Sequence, residues 1–368
     1  MPTNPECACK GPRPSPPAVG ISPLAGLPAS RRGQVPRVAT ALAWVFAAVS
    51  VLACGAIPAH AWGGKTGLVR KYRLGQEVVY QTSIQTHVTV QSNPEGLKAL
   101  LPPFPTELKT RQQNTVTIRA VQADGSAEAE NRFDLFEVQS NLADVLPEEM
   151  KASARMAQEE FSKRVSGQVL SARYDRQGKL LRFEGDESLL GELDPPLRQM
   201  AREILRMFLE QMGGHAIYPD HRVKRGEEWN VKLNGAPKDD YPYTLKGQST
   251  FRFVGKTRYQ GVKAAIIDFR FTNLLRPTPE SLRQVGPTAM LAAQGMALNI
   301  HIEGQGQGRA LVALDDGRIL QNHTTLQQVL KARVEGTTEV RLPVSGPLTL
   351  DVHSETRLEV DAAGERRR

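Results

Sequence analysis

From Tyr80 to Val90 the chain alternates strictly. Tyr80, Thr82, Ile84, Thr86, Val88 and Val90 fall on one side, and Gln81, Ser83, Gln85, His87 and Thr89 on the other. Side chains repeat every two residues along a strand and every 3.6 along a helix, so this stretch predicts a half-buried antiparallel strand. The pattern recurs at Val116-Ile118-Ala120, at Ala265-Ile267-Phe269-Phe271, at Met296-Leu298-Ile300-Ile302, and from Leu348-Leu350-Val352 on to Leu358-Val360. Asp124-Gly125, Asp175 to Gly178, Gln260-Gly261 and Asp315-Asp316-Gly317 lie between such runs and supply the positive-φ residues that tight hairpins need. A chain built this way is committed to a large, long-stranded, mostly antiparallel sheet.

Two segments switch to helical spacing. In Pro147 to Val165 the stripe is Met150, Ala154, Ala157 and Phe161, with Glu159/Lys163 and Glu160/Arg164 paired outside. In the second, Asp194 caps and Pro195 opens the first turn. Leu197, Met200, Ala201, Ile204, Leu205, Phe208 and Met212 follow at three- and four-residue spacing until Gly213-Gly214. A weaker helical pattern over Pro279 to Ala293 is interrupted by Gly286-Pro287. The expected fold class is mainly β with helices (α+β): a large curved antiparallel sheet with two or three helices packed on one face. Residues 62–368 form this β-rich domain, either as one body or as two halves, 62–214 and 215–368, sharing a sheet.

Ahead of the domain, Val38 to Ala53 carries no charge, follows Arg31, Arg32 and Arg37, and leads to Ala59-His60-Ala61. A basic start, an apolar core and an A-x-A exit predict an export signal over 31–61 with cleavage after Ala61. Val51-Leu52-Ala53-Cys54-Gly55 offers an alternative, a lipoprotein box in which Cys54 is lipidated. Uncleaved, Val38 to Ile57 would nearly span a bilayer. Membrane contact is expected only in these last two cases. The Pro-rich residues 1–30 read as a disordered extension or as an over-long start.

The three cysteines, Cys7, Cys9 and Cys54, all precede Ala61, so a chain cleaved there has no disulfide and no thiolate metal site. The net charge of +8 falls to +4 once residues 1–61, with five basic residues and one acid, are removed. What remains is mixed along the chain, without the concentrated basic stripe of a nucleic-acid binder.

Tyr72-Arg73-Leu74-Gly75 with Tyr80, and Tyr218-Pro219 leading into Val223 to Trp229, resemble the opening and mid-chain motifs of an uncharacterised family of secreted bacterial β-rich proteins, a domain of unknown function. The resemblance covers two short motifs and implies fold, with no activity to carry over. Within the second motif, Gly226 is expected to turn the chain into a strand whose Trp229 packs inward.

The chemistry-bearing residues read mostly as structural. His87, His301, His323 and His353 fall on polar strand faces, where a metal shared across strands is geometrically allowed but solvated histidine is the simpler reading. His215 and His221 flank the Tyr218-Pro219 turn in a loop. Gly304, Gly306 and Gly308 lack the spacing of a phosphate loop and leave one strand face bare, for sheet curvature or a close approach. Ser249 lacks the context of a hydrolase elbow. Asp239-Asp240 and Asp315-Asp316 read as turn formers. Met200, Met207, Phe208 and Met212 make the second helix soft and adaptable, and they are the candidate ligand-binding residues, lining an apolar cavity toward the sheet. No cofactor or metal is implied. The function expected is an exported periplasmic or extracellular envelope protein, non-enzymatic, binding an apolar ligand or envelope partner. The alternatives are a hydrolase of envelope lipid or polymer, and a structural or adhesive surface module.

Overall fold

The computed structural model describes residues 66–93, 106–146, 148–191, 218–219, 221–235, 243–277, 296–336 and 348–366, together with Arg198, Arg202, Leu205, Arg206 and Leu209. The strands are β1 Glu77–Asn93, β2 Glu107–Val121, β3 Ala127–Ser140, β4 Val169–Tyr174, β5 Leu180–Glu184 and β6 Glu228–Gly235, then β7 Tyr243–Tyr259, β8 Val262–Pro277, β9 Met296–Ala313, β10 Ile319–Gly336 and β11 Leu348–Arg366. They form one antiparallel sheet of eleven strands in the order β5-β4-β3-β2-β1-β11-β10-β9-β8-β7-β6. Two meanders, β1 to β5 and β6 to β11, meet where the first strand pairs with the last, from Glu77↔Arg366 to Asn93↔Thr349.

The period-two pattern is what buries the sheet. Along β1 the even-numbered residues from Val78 to Val90 turn inward and the odd-numbered ones outward, and the register carries that face across every neighbour. One inner row runs Leu108, Thr86, Thr356, Leu326, Gly306 and Phe271 across β2, β1, β11, β10, β9 and β8. Turn chemistry sets the hairpins. Gln260 and Gly261 both have positive φ, 48° and 81°, the two-residue turn that matches strand twist. Asp175 accepts the Gln177 and Lys179 amides at 2.8 and 2.9 Å. In β3 a bulge opposite Gln113/Asn114 moves the inward set from Val138 and Phe136 to Phe133, Asn131 and Ala129. An extra residue reverses the alternation, so β3 has no single period.

Helices are a minor part of the described structure, and the sheet dominates. They are α1 Leu142–Val145, α2 Glu148–Val165 and α3 Glu187–Leu190, two of them single turns. The helix α2 covers β3: Phe161 meets Phe136 edge-on at 5.9 Å, Ala154 is buried with Leu146, and Arg164 pairs with Glu160 at 3.0 Å. In the second expected helix, Arg198, Arg202, Leu205, Arg206 and Leu209 are helical. Leu209 is fully buried and Leu205 partly so, against a core containing Val78, Ile118, Phe133, Leu170 and Tyr174. The segment from Pro279 to Ala293 lies outside the described residues.

Candidate functional site on the inner face

The inner face is apolar at both ends of the strands and mixed across the middle, where Leu108, Leu326, Leu358 and Phe271 stand among buried polar side chains. At one end lie the core around Leu170 and the core around Val231 and Ile267. At the other, Val88, Val90 and Val352 pack with Leu330 and Leu350. Between them Thr82, Thr86, Thr110, Gln112, Asn114, Thr324, Gln328 and Thr356 are all buried. The hydroxyls of Thr86 and Thr356, directly opposite in register, share a hydrogen bond at 3.0 Å. Others have no partner among the described residues: both amide atoms of Asn114, Gln112 Nε2, Thr82 Oγ1, Asn273 Oδ1 and Gln328 Oε1. Tyr80 faces Asn114 and Thr82 faces Gln112 across β1 and β2, so part of this set is contiguous. Buried polar groups without partners are rare in native proteins, and their clustering makes this band the candidate site.

The strap of residues 66–76 brings the two meanders together beside this band. Thr66 bridges Val223 just before β6, while Gly75 and Gln76 bond to Ile118 of β2. Midway, Lys71 N donates to Asp316 O at 2.8 Å in the β9–β10 turn. Gly317 permits this contact. Its φ is +74°, and a Cβ there would stand 2.4 Å from Val69 O and 2.9 Å from Arg70 Cα.

Arg70 points inward from the strap and is 6% exposed. Its guanidinium lies 4.9 Å over the Tyr72 ring, which stacks on Tyr174 at 6.3 Å. Tyr80 and Tyr218 are close enough for its charge to act on them. Burial pushes the Tyr72 hydroxyl up to about 12 against the pull of Arg70, and burial likewise raises Tyr80, Tyr174 and Tyr218. All four are neutral at physiological pH. Asp316 is fully buried and saturated by others: Oδ1 accepts Arg318 N at 3.0 Å, and Oδ2 accepts Gln76 Nε2 at 2.7 Å and the Arg318 guanidinium. Burial works against its charge, but these donors and the two arginines hold its carboxyl below the usual range.

The ligand-binding residues expected from the sequence, Met200, Met207, Phe208 and Met212, lie outside the described residues, as do Ala61 and Cys54. Their neighbours Leu205 and Leu209 do face the sheet. His87, His301 and His323 sit on the outer face, each beside its own carboxylate: Glu107 at 4.0 Å, Glu303 at 3.4 Å and Glu359 at 3.7 Å. Among the described residues no group of three or more histidines, cysteines or acids is placed to hold a metal. His221 pairs with Glu227 at 2.9 Å. A trough of about 650 Å³ on the outer face of β6 to β11 is lined by polar and apolar groups alike, and two of its ion pairs are Arg309 with Asp268 at 2.6 Å and Arg270 with Glu228 at 3.4 Å.

The bare face at Gly304, Gly306 and Gly308 is filled from the neighbouring strand. Phe271 and Phe269 lie over Gly306 and Gly308, and Asn273 lies over Gly304. These rings continue a row that runs through Phe251 to Trp229. Trp229 is buried just after Gly226, whose φ is +83°, as the second motif implies. Sequence reasoning missed Arg70 and the buried role of Asp316, which it placed among turn formers. The available signal was the two motifs themselves, since Tyr72, Tyr80 and Tyr218 all meet around Arg70.

No protein-family model matches the chain, and no curated protein does. Among solved structures the chain is similar to lipovitellin, in a structure concerned with lipid–protein interactions. The identity is 10% and the TM-score 0.36, over 80% of this chain and 26% of that one. It is also similar to OmpT, an in-vitro folded outer membrane protein of Vibrio cholerae, at 8% identity and TM-score 0.13, over 78% of this chain and 99% of that one. Both scores are too low to show a shared fold, and this chain spans 26% of the lipovitellin chain.

Proposed function

We propose that this chain is exported to the bacterial envelope and acts there, without catalysis, by holding an apolar or amphiphilic ligand against the inner face of its sheet. The observation that carries the reading is the composition of that face. It runs across eleven strands, about 48 Å at the usual strand spacing. Apolar clusters at its ends flank a mixed band in which Leu108, Leu326 and Phe271 alternate with buried polar groups, several of these without partners among the described residues. A face serving only as core would pair its buried polar groups, as Thr86 and Thr356 do. Among the described residues, the cluster of Val88, Val90, Leu330, Leu350 and Val352 consists of strand residues alone. The apolar run before Ala61, behind Arg31, Arg32 and Arg37, supports export.

The test is to express the full chain in a bacterium, sequence the amino terminus of the exported protein, and extract the purified protein with organic solvent for mass spectrometry. The expected start is Trp62, with a lipid-modified Cys54 as the alternative, together with a near-stoichiometric apolar molecule. Retention of residues 1–37 sinks the export reading. Absence of any extractable apolar molecule, together with failure to take up a neutral fluorescent probe such as cis-parinaric acid methyl ester, sinks the binding reading.

A further inference from the structure

We propose that Arg70 and the unpartnered amide and hydroxyl groups around Tyr80 form an anion site at the Tyr80 end of the inner face, taking the carboxylate or phosphate head of an amphiphile. The inference rests on the ligand-binding reading above and adds the chemical class of the ligand. Its first support is the state of Arg70, a buried guanidinium beside a buried carboxylate, Asp316, whose hydrogen bonds go elsewhere. The hydrogen bonds of Asp316 go to Arg318 and Gln76, and no ion pair to Arg70 is present among the described residues. Nε and Nη1 of Arg70 have no hydrogen-bond partner there. A buried cation in this state is costly, and a planar guanidinium with two free donors matches the two oxygens of a carboxylate or phosphate.

The second support is what surrounds it. Tyr80, whose ring environment Arg70 reaches, faces Asn114 across the β1–β2 pair, and the next pair along is Thr82 and Gln112. Asn114 is fully buried, and its Nδ2, the Gln112 Nε2 and the Thr82 hydroxyl are donors without acceptors among the described residues. The donors cluster, as an anion requires. From Tyr80 the same face of β1 continues to Val88 and Val90, roughly 27 to 34 Å away at the usual rise per residue.

The experiment compares cis-parinaric acid with its methyl ester, at mildly alkaline pH where the acid is ionised, by fluorescence titration of the whole purified chain. Inorganic phosphate serves as competitor. One charge-assisted hydrogen-bonded contact corresponds to about ten- to hundredfold in affinity. The acid should therefore bind at least about tenfold tighter than the ester. Arg70→Met should remove the difference by weakening the acid and leaving the ester unchanged. Should Arg70→Met fail to fold, Asn114→Leu is read in its place and should lower the acid preference without moving the ester. Displacement of the acid by phosphate alone identifies a free anion as a ligand of the same site. Equal binding of acid and ester by the unaltered protein overturns the anion site and leaves the apolar-ligand reading standing. A preference that survives in folded Arg70→Met, or in folded Asn114→Leu where that is the variant read, also overturns it. Binding of neither probe overturns both.

Discussion

Replacing the three glycines of β9 one at a time by alanine separates two ways in which a sheet fills a bare face. An alanine Cβ at Gly306 would stand 2.3 Å from Phe271 Cζ and 2.8 Å from Thr325 O, and at Gly308 2.5 Å from Phe269 Cζ and 2.3 Å from His323 O. Rings and backbone cannot step aside cheaply, and overpacking of this kind costs about 1–3 kcal/mol. At Gly304 the nearest atom is Asn273 Oδ1 at 2.1 Å, the far end of a side chain that can turn away. None of the three has a positive φ, so alanine at each also restricts the unfolded chain, a gain of about 0.4–1 kcal/mol. The expected order is Gly304→Ala within about 0.5 kcal/mol of the parent, and Gly306→Ala and Gly308→Ala destabilised by roughly 1–2 kcal/mol. Urea denaturation followed by Trp229 fluorescence measures it. Adding Phe271→Leu should relieve part of the loss in Gly306→Ala, leaving the contact with Thr325 O, and none of the loss in Gly308→Ala. Equal losses at all three positions, or the largest loss at Gly304, would refute the idea that rings from β8 occupy the stripe.

Asp316→Asn removes the buried carboxylate that pairs with Arg318 and should cost about 3–5 kcal/mol, read as a shift of the urea midpoint. Because the folded carboxyl is held below its ordinary value of 3.8, its contribution is complete above that pH and is lost as pH falls through the lower folded value. The parent should therefore lose stability below about pH 4 more steeply than the Asn variant, and identical acid profiles would count against the buried pair. Thr86→Val or Thr356→Val alone strands one buried hydroxyl and should cost about 1–3 kcal/mol, whereas the double change should be close to neutral. A double variant as unstable as the sum of the singles would show that the two hydroxyls are not partners.

The strands β1, β8 and β11 were legible because strict alternation exposes one face and buries the other with no help from neighbours. The turns at Asp124-Gly125, Asp175 to Gly178 and Gln260-Gly261 were legible for a similar reason, since their backbone conformations are local. Strand β3 was not, because its bulge reverses the period midway. The glycine stripe could be recognised as bare from the sequence alone. What fills it depends on β8 lying next in register, which no local pattern states.

The β-rich class, the absence of cysteine after Cys54 and the inward turn of Trp229 are properties of short stretches, and the amino-acid order by itself determines them. The strand order and the site are not. The sheet is joined at its centre by its two most distant strands. Arg70 stands in a stretch without periodicity, between Val69 and Lys71, where nothing distinguishes it from a surface arginine. It becomes a buried cation only because the strap crosses the β9–β10 turn, where Gln76 meets Asp316 from 240 positions away. Burial and charge balance are properties of the whole assembly of strands, and they exist only once the chain has brought those positions together.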